Sequence, residues 1–370
     1  MDLRNLKLLV VQSTPFCNLD CSYCYLPDRI NSKKMSTNLF REVCDFISSA
    51  SHLPERLNIV WHAGEPTALG VDYYEEMLLV ARDVFKEKTK ICFGFQTNGT
   101  LITEKWCDFL IRSESIISFS IDGPGWYHDQ RRKYRNGSGS FDASMHGLKL
   151  AQGSGLETPI ISVISPSILQ NPHEFLEFCA ASGAKRFGLN IEEIEGAHKF
   201  SELYSSQTEF HYMNFIRTLA EKSRDMDISF REIDDARKSI SSSGHIMNSE
   251  VEPFNIINID YTGRISIFSP ELITDTAFRA KYHLPNIHGS SLEEIVSNDV
   301  IQRLTSEVSQ GVAKCKEDCR YFNHCGGGAP SNKFSETGRL DVSKTNYCGF
   351  KKRLLLNAVL EELEAFSEKA

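Results

Sequence analysis

The chain has 370 residues, 41% of them apolar, and a formal net charge of -8. Its length and apolar content support a sizeable core and about two domains, while its acidic balance excludes a dedicated nucleic-acid binder, which needs basic patches to neutralise phosphates. No window reaches the apolar length of a membrane span, and the opening Met1-Asp2-Leu3-Arg4-Asn5-Leu6 lacks the basic region and cleavage site of an export signal. A cytoplasmic protein acting on a peptide or a small molecule is therefore expected. Eleven cysteines then argue for metal thiolates in a reducing compartment, where disulfides seldom persist.

Residues 6–11 form a short apolar run rich in β-branched residues, without amphipathic alternation, and read as a buried strand. A loop follows with Cys17, Cys21 and Cys24 at the spacing Cys-x3-Cys-x2-Cys. Three thiolates can hold three irons of a [4Fe-4S] cube and leave the fourth open to a small molecule. Zinc competes, but a structural zinc site is normally closed by a fourth ligand at short spacing, and none follows before His52. Ser36 can cap a helix in which Leu39, Phe40, Val43, Phe46 and Ile47 recur at helical spacing. Strands are predicted near 57–62, 91–96, 116–121, 160–165 and 185–190, and helices near 71–86, 103–112, 141–154 and 172–181. Six strands each followed by a helix give a mostly parallel sheet with right-handed crossovers, whose ligands gather at the carboxyl ends of the strands.

Those strand ends carry chemistry. His62-Ala63-Gly64-Glu65-Pro66-Thr67 offers a Gly for close backbone approach and a carboxylate that could accept from an ammonium group. Phe95-Gln96-Thr97-Asn98-Gly99-Thr100 and Ser120-Ile121-Asp122-Gly123-Pro124 end the next two strands, and His128-Asp129-Gln130-Arg131-Arg132 comes after. Asn190-Ile191-Glu192-Glu193-Ile194-Glu195-Gly196 is either substrate-facing or a solvated loop. A helix at 207–223 and a short strand at 227–231 precede a Ser-rich stretch (Ser239, Ser241, Ser242, Ser243, Gly244), which reads as a loop or linker. Residues 256–268 read as a hairpin. Cys315-x3-Cys319-x5-Cys325, then Gly326-Gly327-Gly328 and a distant Cys348, could hold one fully ligated cluster or a four-cysteine zinc. The scattered Cys44, Cys92, Cys107 and Cys179 sit in apolar contexts and read as inert core residues. Residues 349–366 show helical leucine spacing. The expected fold is α/β: a partial (β/α)6 barrel over 1–235, open on one side for a large substrate, then a small cysteine-rich domain with a C-terminal helix over 236–370.

The Cys-x3-Cys-x-aromatic-Cys arrangement resembles the radical S-adenosylmethionine (SAM) enzymes, in which SAM chelates the open iron of the cluster. The strand-end motifs, in the same order, resemble those of sulfatase maturases and their relatives, with Ala63 replacing the first Gly of Gly-Gly-Glu-Pro. The resemblance implies that Tyr23, Gly64, Glu65, Asn98, Ser120 and Arg132 contact SAM. The hairpin and later cysteines resemble the SPASM domain, which often carries two auxiliary clusters. Here the window 248–258 holds no Cys, and Phe268 and Ala329 occupy two further ligand positions. One auxiliary [4Fe-4S] cluster, on Cys315, Cys319, Cys325 and Cys348, is therefore expected. Cys24-Tyr-Leu-Pro-Asp-Arg29, Phe268-Ser-Pro-Glu-Leu272 and Cys325-Gly-Gly-Gly-Ala-Pro-Ser-Asn-Lys333 resemble the cyclophane-forming SPASM maturases, including the glycine-rich-repeat peptide type.

That family implies an oxidoreductase that joins an aromatic ring carbon to the β-carbon of a residue two positions later in a ribosomally made precursor peptide. A flavodoxin- or ferredoxin-type protein would supply electrons. No fused leader-binding module is expected before the first strand. Glu193, Glu232 and Glu271 are candidate bases, although for any one of them an exposed-surface role is the more common reading. The competing functions are a formylglycine-generating sulfatase-type maturase and a non-catalytic zinc-binding protein.

Overall fold

The computed structural model describes residues 1–242 and 246–369. Seven parallel strands, β1 (Leu8–Gln12), β2 (Arg56–Trp61), β3 (Lys90–Thr97), β4 (Ile116–Ser120), β5 (Ile160–Ile164), β6 (Arg186–Ile191) and β7 (Ser229–Phe230), pair in sequential order. The predicted helices lie between them at Thr37–Ser48, Val71–Phe85, Glu104–Arg112, Phe141–Gly153 and Pro172–Ser182. Local chemistry starts several of them: Ser36 Oγ accepts from Leu39 N at 3.1 Å, and Thr103 caps the helix that begins at Glu104.

Strand residues divide between two faces, because side chains alternate across a pleated sheet. In β2 and β3, Trp61, Phe93 and Phe95 turn outward and meet Phe40, Tyr74, Trp106 and Phe109 from the helices, with ring centroids 4.9–6.1 Å apart for pairs such as Trp61–Tyr74 and Phe95–Phe109. Such offset and edge-to-face pairs add about 0.5–1.5 kcal/mol each beyond their buried area. The opposite face presents smaller or polar residues, Val60, Gln96, Ser120, Ile161, Val163 and Asn190, to a cavity of about 1000 Å³.

The hairpin does not form a separate sheet. Strand β8 (Ile256–Asp260) runs parallel to β1, in register from Leu8↔Ile256 to Gln12↔Asp260, and β9 (Ile265–Ser266) returns antiparallel to β8. The result is one nine-stranded sheet ordered β7-β6-β5-β4-β3-β2-β1-β8-β9. The physical reason is the edge of β1, whose N–H and C=O groups the apolar Ile256-Ile257-Asn258-Ile259 run covers.

One continuous helix, Arg231–Ser241, spans residue 235. Ser239 and Ser241 are helical rather than part of a linker, and Ser243 and Gly244 lie outside the described residues. Ile233 and Ala236 bury one face of this helix, and Ser239 Oγ shares a 2.7 Å hydrogen bond with His324 Nδ1. Among the described residues no helix is long and apolar enough to cross a membrane.

The C-terminal segment closes over the sheet through a π-helical turn, Gly349–Leu354, and the helix Leu355–Lys369. Its main polar anchor is the buried Lys351, whose Nζ donates to the Leu189 carbonyl and lies 2.9 Å from Glu232 Oε1. Glu232 also accepts from Leu189 N at 2.6 Å and from Arg231. Burial works to raise the Glu232 carboxyl, but the Lys351 and Arg231 charges prevail and hold it at about 2. Its contribution to stability is thus present above the ordinary value of 4.5 and is lost as pH falls toward about 2. Glu232→Leu strands a buried ammonium and is expected to lower stability by about 3–5 kcal/mol. Adding Lys351→Met should restore most of it in urea unfolding. A single variant as stable as the wild type would remove this pair as the anchor.

Candidate active site

The cysteine loop leaves the end of β1 and is held from both sides. A Cβ on Gly64 would lie 2.4 Å from the Thr14 carbonyl oxygen and 2.5 Å from that of Phe16, so only Gly allows this approach, and its φ of +61° suits Gly as well. Glu65 N donates to the Phe16 carbonyl at 2.6 Å. Ala63, where the related motif has Gly, sits at φ +69°, a conformation that costs a Cβ-bearing residue about 1–2 kcal/mol. On the other side, Arg29 Nη1 donates to the Cys21 carbonyl (3.0 Å), and Arg135 Nη2 donates to the carbonyls of Cys17 (2.9 Å) and Arg29 (2.8 Å).

Cys17, Cys21 and Cys24 line the large cavity. Burial pushes the Cys17 thiol up to about 12, with the Glu65 carboxylate adding to the rise, and the Cys21 thiol to about 11, with the Arg132 guanidinium opposing it. Thiols so reluctant to ionise are inert unless a metal displaces the proton. Among the described residues no three His, Cys, Asp or Glu side chains could share a single metal ion. A four-iron cube asks for a wider set, because each of its cysteines binds a different iron.

Glu65 is 1% exposed. Its Oε1 accepts from Thr67 N (3.0 Å), Thr67 Oγ1 (2.6 Å) and Thr97 Oγ1 (2.7 Å), and its Oε2 from Asn98 N (2.7 Å), leaving Oε2 room for one more donor. The carboxylate thereby ties the ends of β2 and β3 together. Asn98 donates from Nδ2 to Asn18 Oδ1 at 2.8 Å, which joins β3 to the cysteine loop. Ser120 Oγ accepts from Gln96 Nε2 at 2.8 Å on the cavity face.

Tyr23, Asp122 and Arg132 form a buried triad. The Tyr23 hydroxyl donates to Asp122 Oδ2 (2.7 Å) and accepts from Arg132 Nη1 (2.5 Å), which lies 3.6 Å from Asp122 Oδ1. Burial raises the Asp122 carboxyl and Arg132 draws it back down. Arg132 Nε is buried without an acceptor, so its guanidinium keeps a donor free. Of the neighbouring arginines, Arg131 pairs with Glu192 at 2.8 Å, although its Nε also lacks an acceptor, and Arg135 is committed to the loop carbonyls. The Arg132 fork beside the cysteines therefore fits a carboxylate such as that of SAM.

Across the cavity the 192–195 loop turns inward instead of into solvent. Asn332 Nδ2 donates to both Glu193 Oε2 (2.6 Å) and Glu195 Oε1 (3.1 Å). Burial pushes Glu193 up to about 7 and Glu271 to about 8, and Glu195 rises through burial and then through repulsion from Glu193 and Glu271. In the sequence Glu195 and Asn332 stand only within longer motifs. Their pairing has no local signal. Glu232 also lines the cavity, but its paired, fully ionised carboxylate makes it a weak base.

The second cysteine set lies behind Asn332. Cys315 ends a turn of the helix Asp299–Asp318, Cys319 follows it, Cys325 closes the short helix Phe322–Cys325, and Cys348 precedes the π-helical turn. Burial raises the Cys315 thiol against the opposing Lys333 ammonium and raises the Cys348 thiol to about 11, and the neighbouring Cys325 adds to both. Gly328, at φ +73°, passes so close that a Cβ would meet Cys348 Sγ at 3.2 Å. Phe268 and Ala329 are buried in apolar packing, as are Cys44, Cys107 and Cys179, whereas the buried Cys92 accepts at Sγ from Arg56 Nη2 at 2.8 Å.

Arg132→Lys keeps the charge but loses the fork. SAM affinity measured by calorimetry should fall by about 1.5 kcal/mol, roughly tenfold. Unchanged affinity would place the carboxylate partner elsewhere.

Residues 11–181 match the family model of the radical SAM superfamily. An uncharacterised protein of Synechocystis sp. is 32% identical over 367 residues, covering 97% of this chain and 92% of its own. The serine-type anaerobic sulfatase-maturating enzyme of Bacteroides thetaiotaomicron is 26% identical over 358 residues, covering 90% of this chain and 84% of its own. The fold is also that of native anSMEcpe solved with bound AdoMet and the Cp18Cys peptide, at a TM-score of 0.77 and 20% identity, over 98% of this chain and 99% of that one. These likenesses make the chain an enzyme and set aside the non-catalytic zinc protein. With the cysteine loop, the strand-end motifs and the family match falling on the same residues, the chain belongs to the radical SAM superfamily and is similar to the anaerobic sulfatase maturases.

Proposed function

We propose that the enzyme matures a ribosomally made precursor peptide by joining an aromatic ring carbon to the β-carbon of a residue two positions later. The observation that carries this reading is the placement of Glu193, Glu195 and Glu271 in the same cavity as Cys17, Cys21 and Cys24. Bound SAM and its cluster would supply a 5'-deoxyadenosyl radical that takes the β-hydrogen, and a second cluster on Cys315, Cys319, Cys325 and Cys348 would supply a one-electron acceptor.

The protein's own part is positional and acid–base. Tyr23 and Asp122 orient Arg132 toward the SAM carboxylate, and Glu65, Asn98 and Ser120 hold the strand ends around the rest of the molecule. Bond formation on the ring leaves one ring proton to be removed. A carboxylate raised to about 7, as Glu193 is, accepts that proton near neutral pH better than one at the usual value. Glu271, raised to about 8, faces the same space. A peptide bound in the structural neighbour supports a peptide substrate here, with a flavodoxin- or ferredoxin-type reductant.

The second reading, formylglycine formation, is favoured by the sulfatase-maturating relative. Against it stand the apolar Phe268 and Ala329 at positions where that type carries cluster ligands. Mass spectrometry separates the two: a crosslinked peptide loses two hydrogens per new bond and shows no fragmentation inside the ring, whereas formylglycine reacts with an aldehyde probe. Aldehyde in place of a crosslink would overturn the proposal. Glu193 accepts a proton only when ionised, so crosslinking should rise with pH through about 7 and then level off. Glu193→Gln should slow crosslinking by about 100-fold or more while SAM cleavage continues. A Gln variant with a normal rate and pH profile would move the base to Glu271.

A further inference from the structure

Lys333 is 2% exposed, and among the described residues no carboxylate pairs with it. Its Nζ instead hydrogen-bonds Cys315 Sγ at 3.5 Å. The side chain reaches that sulfur between two glycines. A Cβ on Gly311 would stand 3.0 Å from Lys333 Nζ, and one on Gly328 would stand 3.6 Å from Lys333 Cε and 3.2 Å from Cys348 Sγ. Space around the ammonium is thus kept clear on the cysteine side. Burying an ammonium without a counter-charge costs several kcal/mol even after relaxation, so an anion has to stand beside it. Four thiolates around a four-iron cube are such an anion, and its charge becomes more negative when the cube is reduced.

A fixed cation stabilises the reduced form of that centre more than the oxidised form, and charge and hydrogen bonds to the sulfurs set the potential of such centres. We propose that Lys333 is the built-in counter-charge of a centre on Cys315, Cys319, Cys325 and Cys348, a positioning residue that raises its potential so that it accepts electrons. The inference rests on the proposed reading of those cysteines as an iron–sulfur site. Its neighbour in sequence, Asn332, points the other way and bridges Glu193 and Glu195. The helix Pro330–Thr337 therefore presents one residue to the proposed proton acceptor and the next to the proposed electron acceptor.

The test is a potentiometric titration, followed by electron paramagnetic resonance, of the full chain reconstituted with iron and sulfide. Cys17, Cys21 and Cys24 are replaced by Ala so that only the second centre reports. Lys333→Met should weaken electron affinity at least tenfold, about 59 mV for a one-electron couple, whereas Lys333→Arg should stay near the starting value. An intact four-iron spectrum with unchanged potential in the Met variant would overturn the proposal. If the Met variant takes up no iron, Lys333→Gln, which still donates to sulfur, replaces it. A Gln variant at the starting potential, or loss of iron from both neutral variants and the Arg variant alike, makes Lys333 purely structural and also overturns it. Zinc or no iron in the Lys333-intact protein would instead bring down the reading of the site itself.

Discussion

The catalytic half of the molecule depends on one close contact, that of Gly64 with the carbonyls of Thr14 and Phe16. A loop with three cysteines has no helix or sheet ladder to set its shape, so its sulfurs stay in place only if its backbone is pinned. Gly64 pins it from the end of β2, Asn98 from the end of β3, and Arg29 and Arg135 from outside. The strained Ala63 beside Gly64 shows that the turn is held by its surroundings and not by local preference.

Around that loop, the charged side chains fall into two groups according to whether their partners lie within the protein. Arg135 and Glu232 are matched by protein groups and hold the architecture together. Arg132 keeps a donor free, and burial raises the carboxyls of Glu193, Glu195 and Glu271. The same cavity therefore presents an unfilled cationic fork at one end and reluctant acids at the other. Water-poor surroundings strengthen both effects, because charges that solvent cannot screen shift their neighbours' protonation most.

The C-terminal segment completes the site instead of standing apart from it. Strand β8 extends the sheet beside β1, and Gln12 Nε2 donates to the Pro270 carbonyl at 2.9 Å, which brings Glu271 to the cavity. Lys351 fastens the last helical segment to β6 through Leu189 and Glu232. Asn332 and Lys333, adjacent in sequence, then link the acids of the barrel mouth to the second cysteine set.

Much of this was written in short stretches. The cysteine spacing, the strand-end motifs and the alternation of β-branched runs with amphipathic helices are local patterns, and the strands and helices they predicted up to residue 231 lie within a residue or two of those found, whereas the helix expected at 349–366 divides into a π-helical turn and the helix Leu355–Lys369. The apolar burial of Cys44, Cys107 and Cys179 was equally legible from their neighbours, whereas the contact of Cys92 with Arg56 was not. Pairings between distant residues were not. Asn332 meets Glu195 across 137 positions of sequence and Lys351 meets Glu232 across 119, and nothing near either residue announces its partner. For the same reason three equivalent-looking glutamates, Glu193, Glu232 and Glu271, could be named but not ranked. A carboxylate's basicity depends on which charges fold against it and how much water remains. The hairpin could be recognised from its own residues, yet its place beside β1 was decided by the tertiary structure, because an unpaired strand edge is satisfied by whichever apolar strand the fold brings to it.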